Sequence, residues 1–400
     1  MLAATVRVTR DIDAAEEAVQ DAYVRALSAW ADGGVPAKPG AWLTTVARRG
    51  ALNALRRRRT LATKLPLLVD RDEVQQSHEP DAGADTHTIP DDRLRLVFTC
   101  CHPALSSDAQ VGLTLRLVCG VATPDIAQAF LVPEATMAAR LTRAKKKIAA
   151  AAIPYAVPDA DELPARVDAV LTVIQVLYAT GHAAPSGAEL VRHELTGRAL
   201  DLARMLRLLL PDEREVAGLL ALLLVHEARR ATRTGPNGRL RRLAEQDRSA
   251  WDRELIAEAD LLLVQTLRAG PPGRFTVQAA IAALHAQARN YDATDWPQIL
   301  ALYDELLRIW PSPVVALNRT VALAFVDGPA PALAEVEALE RDGRLARYRY
   351  LPSTKADLLH RLGRDAEAAT AYEAALALTG NAAEQEFLQA RLSALQLGGL

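Results

Sequence analysis

The fold is decided by residues 123–148, which have the sequence TPDIAQAFLVPEATMAARLTRAKKKI. Two helix starts lie within this stretch. Thr123 is a capping residue followed by a proline, and Pro133-Glu134 marks the second start. A short helix over Asp125–Phe130, a tight connection and a second helix form a helix-turn-helix pattern. Because this motif places its second helix in the DNA major groove, the pattern predicts a DNA-binding domain.

The second helix, from Glu134 to about Ala151, has an apolar and a basic face. The apolar positions are Met137, Leu141, Ala144 and Ile148. The polar positions are Thr136, Arg140, Arg143 and Lys147, with Lys145 and Lys146 beside them. Arginine suits bidentate contacts to guanine and lysine neutralises phosphates, so this face predicts major-groove reading. A basic face alone is equally typical of a solvated amphipathic helix, but the short partner helix and the two starts favour DNA binding.

Composition predicts a helical chain of two or three domains. The chain has 400 residues, of which 50% are hydrophobic and 4% aromatic, and such a scarcity of aromatic residues favours helix over sheet. The net charge of −2 says nothing about nucleic acid. Three cysteines are too few for a disulfide framework. The N-terminus does not resemble a signal peptide, and no apolar run reaches the roughly 20 residues of a membrane span. We therefore expect a cytoplasmic protein without membrane insertion.

Two helices are predicted in the N-terminal 60 residues. The first, Asp11–Ser28, carries apolar residues at helical spacing and acids on another face. After a Gly/Pro-rich loop (Ala31–Gly40), the second helix, Ala41–Arg59, has an apolar stripe and a basic end. The stripe consists of Trp42, Leu43, Val46, Ala47, Leu52 and Leu55, and the basic end of Arg48, Arg49, Arg56, Arg57, Arg58 and Arg59. The arginines fit DNA binding, RNA binding or a solvated face, and Trp42 fits the core better than a base-stacking platform.

Residues 61–91 are rich in acids and lack a periodic apolar pattern, which predicts a flexible linker. A helical unit at 92–153 contains the helix-turn-helix, and a long helical region at 160–400 follows it. Breaks in that region are predicted at 181–187, 235–238, 270–273, 311–313, 328–331 and Pro352.

A weak repeat lies near the C-terminus. Tyr303, Val336 and Tyr372 occupy equivalent positions, 33 and 36 residues apart. Their helices are Gln298–Ile309, Ala330–Arg341 and Ala366–Leu378, with Val314–Val326 and Leu351–Leu362 between them. The spacing is close to the tetratricopeptide period of about 34 residues. Stacked helix pairs of this kind leave a concave surface for partners.

Three other groups of residues have the composition of a chemical site. Cys100, Cys101 and His102 with Cys119 suggest zinc, but adjacent cysteines do not easily face one metal, so buried thiols are the preferred interpretation. His226-Glu227 begins a zinc-protease motif, but Arg230 stands where the second histidine belongs. The cluster Asp247, Arg248, Trp251 and Asp252 is interpreted as buried ion pairs at helix ends. We therefore predict no enzyme, cofactor or metal.

Three segments resemble the functional helices of bacterial sigma factors. Asp13–Leu27 resembles their polymerase-binding helix, and Ala41–Arg49, continuing to Arg59, resembles their −10-reading helix. Asp125–Phe130 with Ala138–Ala144 resembles their −35-reading helix-turn-helix. Two small helical domains joined by an acidic linker are the layout of extracytoplasmic-function (ECF) sigma factors.

The resemblance extends over nearly the whole chain. Leu224–Arg230, Gln246–Trp251 and Pro311–Arg319 resemble the ECF subgroup with a C-terminal tetratricopeptide-like extension. These proteins usually have a further helix before the one starting at Asp11, so the resemblance implies an N-terminally incomplete first domain. The implied class is all-α: a region 2 domain (1–60), the linker (61–91), a region 4 helix-turn-helix (92–153) and a helical-repeat extension (160–400).

The resemblance assigns roles to individual residues. The polymerase clamp would contact Glu16, Glu17, Gln20, Asp21 and Val24. The −10 element would contact Arg48, Arg49, Asn53, Arg56 and Arg57, and the −35 element Thr136, Arg140 and Arg143, with Lys145, Lys146 and Lys147 nearby. The implied partners are RNA polymerase core, promoter DNA and a regulatory protein at the extension. The alternatives are a stand-alone helix-turn-helix regulator with a repeat-type sensor domain and, less favoured, an enzyme in the C-terminal region.

Overall fold

The computed structural model describes residues 1–64, 92–130, 132–183, 186–187, 191–235 and 239–398. Eighteen α-helices form nearly all the regular structure of these residues, so the predicted all-α class is confirmed. Two-residue strands, β1 (Ser186–Gly187) and β2 (Gly380–Asn381), pair in parallel. The chain divides into two compact units, the first comprising 1–126 and 133–173 and the second comprising 127–132 and 174 onward. The predicted linker lies outside the described residues except for 61–64, which extend a helix.

The N-terminal helices begin with α1 (Leu2–Thr9), α2 (Ile12–Gly33) and α3 (Pro39–Lys64). They are followed by α4 (Asp92–Cys100), α5 (Ser107–Leu113), α6 (Thr123–Ala129), α7 (Glu134–Ala150) and α8 (Leu163–His182). The later helices are α9 (His193–Leu209), α10 (Arg214–Ala228), α11 (Arg253–Arg268), α12 (Arg274–Gln287), α13 (Trp296–Ile309), α14 (Pro313–Val326), α15 (Pro329–Asp342), α16 (Tyr350–Arg361), α17 (Asp365–Ala377) and α18 (Ala382–Gly398).

A helix precedes Asp11, in the ten residues where the resemblance implied a missing element. Helix α1 buries Ala3 and Val6 and ends at Arg10, which has a left-handed backbone (φ 52°). Asp11 then caps α2, its carboxylate accepting a hydrogen bond from the Ala14 amide at 3.1 Å. The first 64 residues therefore form three consecutive helices.

The core of these helices departs from the predicted stripe at one position. Trp42 packs on Trp30, with ring centroids 5.4 Å apart, so its predicted place in the core is confirmed. Leu52 is 39% exposed, and Ala51 is buried in its place. Residue 51 follows Ala47 by four positions, the spacing that returns a helix to the same face, whereas residue 52 is turned away from it.

The helix-turn-helix segment is close to its prediction. Helix α7 buries Met137, Leu141, Ala144 and Ile148, as the apolar spacing predicted. Helix α6 begins at Thr123 itself, one residue earlier than expected for a cap. Before it, α5 follows Ser106 and continues into a π-helical turn, Thr114–Val118.

Helices of the second unit cross at close range. A Cβ atom on Gly218 of α10 would lie 2.5 Å from the Thr276 hydroxyl and 2.7 Å from its amide nitrogen, so only glycine fits there. Near this crossing the Glu215 carboxylate accepts hydrogen bonds from the Phe275 amide at 2.7 Å and the Thr276 hydroxyl at 2.5 Å. These contacts hold the start of α12 against α10.

The repeat positions near the C-terminus lie in the core. Val336 and Tyr372 belong to one apolar cluster of α14–α18, and Tyr303 packs against a second cluster built around Ile299 and Leu306. Burial raises the pKa of Tyr303 to about 12. The predicted helix Leu351–Leu362 corresponds to α16, and Pro352, where a break was predicted, lies in its first turn, where the missing amide costs no helical hydrogen bond.

One helix among the described residues, α8, is long and apolar enough to cross a membrane when judged by length and composition alone. The expectation that every apolar run falls short of that length is thereby corrected. A core helix passes the same test. Inside the first unit, Arg166 of α8 is buried and donates to the Phe98 carbonyl oxygen at 2.7 Å.

Candidate nucleic-acid interface

Helix α2 presents an exposed stripe that combines acidic and apolar side chains. Its inner face buries Ala15, Val19 and Ala22. The outer face exposes Glu17, Gln20, Asp21, Val24 and Leu27, with exposed fractions of 63% for Val24 and 77% for Leu27. Val24 and Leu27 lie one turn apart and add exposed apolar area to this face. Four of the five residues predicted to contact polymerase lie in this stripe; the fifth, Glu16, is largely buried.

Helix α3 exposes the basic residues predicted to contact the −10 element. The side chains of Arg48, Arg49, Asn53, Arg56 and Arg57 are all exposed. A cavity of about 310 Å³ lies between α2 and α3, lined by Glu17 and Asp21 on one side and Asn53 and Arg57 on the other. The fold therefore brings the predicted polymerase-binding and −10-binding residues next to each other.

Helix α7 exposes most of its predicted DNA-facing residues. Thr136, Arg143, Lys146 and Lys147 are exposed on the side opposite the buried face. Arg140 is drawn to a neighbouring helix, where its Nη1 lies 2.9 Å from the Asp108 carboxylate of α5. Asp108 is a residue that the sequence analysis missed; it precedes Arg140 by 32 positions, and no local pattern indicates the pairing.

Of the predicted DNA contacts on α7, Lys145 is the least available to a DNA phosphate. Its Nζ lies 2.5 Å from the Asp13 carboxylate and 2.9 Å from that of Glu16, both on α2, and the side chain is only 19% exposed. Glu16 also lies 3.7 Å from Arg116. Burial works to lower the pKa of Lys145, but the hydrogen bonds to Asp13 and Glu16 outweigh it and raise this pKa. Lys145 is therefore a firmly charged link between α7 and α2.

The cysteines are buried in the first unit. Cys100, Cys101 and Cys119 are at most 5% exposed, and the Cys101 Sγ lies 3.5 Å from the Thr114 hydroxyl. Burial raises the pKa of the Cys100 thiol strongly and that of Cys101 to about 12. Such thiols are poor nucleophiles and poor metal ligands. In the part of the chain that the structure describes, no cluster of histidine, cysteine and acidic residues is able to hold a metal ion.

Arginines in the second unit point inward to the C-terminal ends of helices. Arg233 donates to the carbonyl oxygen of His182, at the end of α8. Arg248 donates to the carbonyl oxygens of His285 and Ala288, at the end of α12, at 2.5 and 2.7 Å. Helix C-termini carry partial negative charge and unpaired carbonyls, so these cations stabilise them.

Histidines line the same region in their neutral form. The His226 ring nitrogen Nδ1 lies 2.9 Å from Arg229 Nη2, and burial together with Arg229 lowers the pKa of His226 strongly. Burial, with Arg229 and Arg248, lowers the pKa of His285 to about 4. Burial and then Arg233 lower the pKa of Arg229 to about 10. His226 and His285 are therefore uncharged at neutral pH.

The remaining motifs of the sequence are also structural. Glu227 lies 2.6 Å from Arg230 and accepts a hydrogen bond from the Tyr178 hydroxyl at 3.2 Å. The interpretation of the 247–252 cluster as buried ion pairs is wrong. Asp247 and Asp252 are exposed; Asp247 caps the short 3-10 turn Arg248–Ala250 and Asp252 caps α11, both through backbone amides. The Arg248 guanidinium lies 4.9 Å from the buried Trp251 ring. Aspartate is a preferred capping residue, which accounts for the spacing.

Comparison with known proteins adds two family matches and a long relative. Residues 2–60, which contain α1, α2 and most of α3, match the Sigma-70 region 2 family. Residues 166–267 match a family of unknown function, DUF6596. The uncharacterized protein R00370 of Rhizobium meliloti (strain 1021) is 43% identical over 397 residues, which cover 98% of this chain and 93% of that protein. The chain belongs to the same family as R00370. No solved structure was found to match it.

The region 2 match gives the N-terminal helices a function. The chain carries a sigma-70 region 2 domain and is sigma-factor-like, with a role in transcription initiation. Region 2 implies binding to RNA polymerase core and to promoter DNA. This domain includes the exposed stripe of α2 and the exposed arginines of α3 described above.

Proposed function

We propose that this protein is an ECF-type sigma factor whose activity is controlled through its C-terminal helical extension. It binds polymerase core through the exposed stripe of α2, reads the −10 element through α3 and reads the −35 element through α7. The observation that carries the proposal is the region 2 match over residues 2–60, whose helices expose an acidic-apolar stripe beside a basic surface. It acts in the cytoplasm, with polymerase core and promoter DNA as partners and no catalytic chemistry of its own.

The α2 stripe has the composition of a protein-binding surface. Val24 and Leu27 supply apolar area, and Glu17, Gln20 and Asp21 surround it with polar groups. An apolar centre with a polar rim is the usual anatomy of a protein interface. The acids also give orientation, because complementary charge steers association.

The two basic helices are suited to different parts of a promoter. Helix α3 adjoins the polymerase-binding stripe and exposes Asn53 among its arginines, so it supports contacts to the −10 element. Helix α7 has one apolar and one polar face, so Thr136 and Arg143 are available to base edges while Lys146 and Lys147 are available to phosphates.

Reconstituted transcription tests the proposal directly. Promoters enriched when the protein is cross-linked to DNA in cells supply the template, and purified polymerase core supplies the enzyme. We expect a promoter-dependent transcript only when the full chain is added. DNA binding without polymerase core, together with no transcript, would favour the stand-alone helix-turn-helix regulator.

A charge reversal in the α2 stripe tests the polymerase contact. Asp21→Lys places a cation in the exposed acidic stripe, and we expect polymerase core affinity to fall at least tenfold, because opposite charge in an interface becomes like charge. Asp201→Lys on α9 is the matched control, since Asp201 is also an exposed helical aspartate. Equal core affinity of the two variants would contradict the proposed contact.

Truncation tests control by the extension. A chain ending at Ala183 keeps all of α8, including Arg166, whose bond to Phe98 belongs to the first unit. We expect this chain to differ from the full protein in transcription activity or promoter choice. The same activity at the same promoters would reject control by the extension while leaving the sigma-factor proposal intact.

A further inference from the structure

An ion-pair cluster joins α2, the proposed polymerase-binding helix, to α7, the proposed −35-reading helix. Lys145, on α7, reaches the carboxylates of Asp13 and Glu16 on α2 at 2.5 and 2.9 Å. Arg116, in the π-helical turn, lies 3.7 Å from Glu16. Glu16 is thereby held by two cations, and its side chain is 23% exposed, in contrast to the exposed Glu17 beside it.

We propose that this cluster is a clasp, in which α7 occupies the acidic end of the polymerase-binding surface in the free protein. The inference rests on the proposed function of α2 and α7. While Lys145 is bound to Asp13 and Glu16, Lys145 is withheld from DNA phosphate and Glu16 is withheld from polymerase. Polymerase core and the clasp therefore compete for α2, and DNA and the clasp compete for Lys145.

The chemistry of the clasp favours reversible opening. It consists of polar groups, and the Asp13 side chain is 65% exposed. A groove of about 1120 Å³ runs beside it, lined in part by Arg7, Lys145, Lys146 and Tyr155. Because water reaches the groove, the separated charges are rehydrated when the clasp opens. Charge pairs near a surface contribute little to stability, so binding energy from polymerase or DNA is sufficient to open the clasp.

Other contacts between the same parts of the first unit remain when the clasp is broken. The Tyr155 hydroxyl lies 2.7 Å from the carbonyl oxygen of Ala3 and 2.8 Å from that of Asp92. Arg7 lies 3.5 Å from the Asp92 carboxylate. A clasp variant is therefore expected to fold, with a changed balance between closed and open arrangements.

Affinity for polymerase core, measured without DNA, distinguishes a clasp from a simple phosphate contact. We expect Lys145→Ala to raise core affinity about threefold to fivefold, because a binding-competent state that is only partly populated lowers the apparent affinity. A lysine that merely contacts phosphate would leave DNA-free core binding unchanged. Lys355→Ala is the matched control, because Lys355 forms a comparable ion pair with Glu340, at 2.6 Å, in the second unit.

Substitution of Asp13 should raise affinity for polymerase core, whereas loss of a simple polymerase contact would lower it. Asp13→Ala removes an acid from α2 yet should also raise core affinity, since Asp13 belongs to the clasp and not to the assigned polymerase contacts. The double variant Lys145→Ala/Asp13→Ala should match Lys145→Ala alone, because Asp13 acts only through Lys145; Asp13→Ala alone, which leaves the Lys145–Glu16 pair, should give a smaller gain. Lower affinity of Asp13→Ala, or additive gains in the double variant, would overturn the proposal.

Cross-linking tests the contact without relying on transcription. Arg10→Cys/Ala149→Cys leaves the clasp residues intact, because both residues are exposed and only line the groove beside the clasp. This variant is treated with a short bismaleimide; the three native thiols are buried, and burial raises the pKa of Cys100 and Cys101, so the new pair reacts selectively. We expect an intramolecular cross-link in the free protein, slower cross-linking after polymerase core is added, and loss of core binding once it has formed. The same variant blocked with a monofunctional maleimide is the control.

The outcomes separate the two proposals. The clasp is overturned if no cross-link forms, or if the cross-linked protein still binds polymerase core with the affinity of the blocked control. In either case, transcription by the wild type would leave the proposed function intact. Absence of core binding in every variant, including the wild type, overturns the proposed function and with it the clasp.

Discussion

Two sets of arginines, one in each unit, are used in opposite ways. In the first unit, Arg48, Arg49, Arg57 and Arg143 are exposed on helix surfaces. In the second unit, Arg233 and Arg248 point inward, where they donate to carbonyl oxygens at helix ends. The same side chain thus serves as a surface cation in one unit and as an internal hydrogen-bond donor in the other.

This difference explains why whole-chain charge is uninformative here. Lysine and arginine together number 47 and are balanced by 49 acids. A binding surface is distinguished by exposed cations whose hydrogen-bond donors are not already bound to backbone carbonyl oxygens inside the fold. Alanine substitutions at the exposed arginines of α3 and α7 should therefore affect function, whereas those at the inward-pointing Arg233 and Arg248 should affect stability.

The largest effect is expected from the arginines of α3. We expect Arg48→Ala/Arg49→Ala/Arg57→Ala to lower promoter-dependent transcription about a thousandfold, since each lost DNA contact costs about 1–3 kcal/mol. Reconstituted transcription measures the loss, and the denaturant midpoint should remain at the wild-type value. An equally large loss of stability would mean that these arginines, like those of the second unit, are structural.

Arg248 should show the opposite pattern. Arg248→Ala removes two hydrogen bonds to carbonyl oxygens and the packing of the guanidinium on Trp251, so we expect a loss of about 3 kcal/mol in the free energy of unfolding. Hydrogen exchange of α12 amides in the full chain locates the loss. Arg268→Ala, at an exposed position at the end of α11, is the matched control and should leave exchange unchanged.

The sequence predicted elements whose pattern is local. The apolar spacing of residues 137–148 predicted both the extent of α7 and its buried face, because a helix repeats every 3.6 residues whatever it packs against. The predicted helix start at Asp11 likewise agrees with α2, which begins at Ile12 after the Asp11 cap. Of the candidate site, the exposed stripe of α2 and the exposed arginines of α3 followed from the same periodicity and from the resemblance.

Contacts between distant residues could not be predicted in this way. Lys145 and Asp13 are 132 positions apart, and nothing in either segment indicates the other. The inward orientation of Arg233 and Arg248 depends on where α8 and α12 end, which is set by the tertiary fold.

Histidines in the second unit should make its stability depend on pH. Burial, with Arg229 and Arg248, lowers the folded-state pKa of His285 to about 4, below its ordinary value of 6.5. The unfolded chain therefore binds this proton first, and stability falls as pH decreases from 6.5 towards 4, by up to about 1.4 kcal/mol per pH unit. Denaturant titrations between pH 7 and 5 should show a shallower pH slope for His285→Gln than for the wild type. Equal slopes would mean that His285 is not buried in its neutral form.

The smallest effect is expected at Lys147, which is exposed on α7. If Lys147 neutralises one phosphate, Lys147→Ala should weaken binding of the polymerase complex to promoter DNA only a few-fold and reduce the salt-dependence slope by about 1. Arg341→Ala, near the exposed end of α15 in the second unit, should leave the slope unchanged. If the salt-dependence slopes of Lys147→Ala and the wild type are equal, Lys147 does not contact DNA. The DNA-binding surface of α7 would then consist only of residues before Lys145. If Lys147→Ala loses more DNA affinity than one phosphate contact explains, Lys147 also positions Arg143, which lies one helical turn away on the same face.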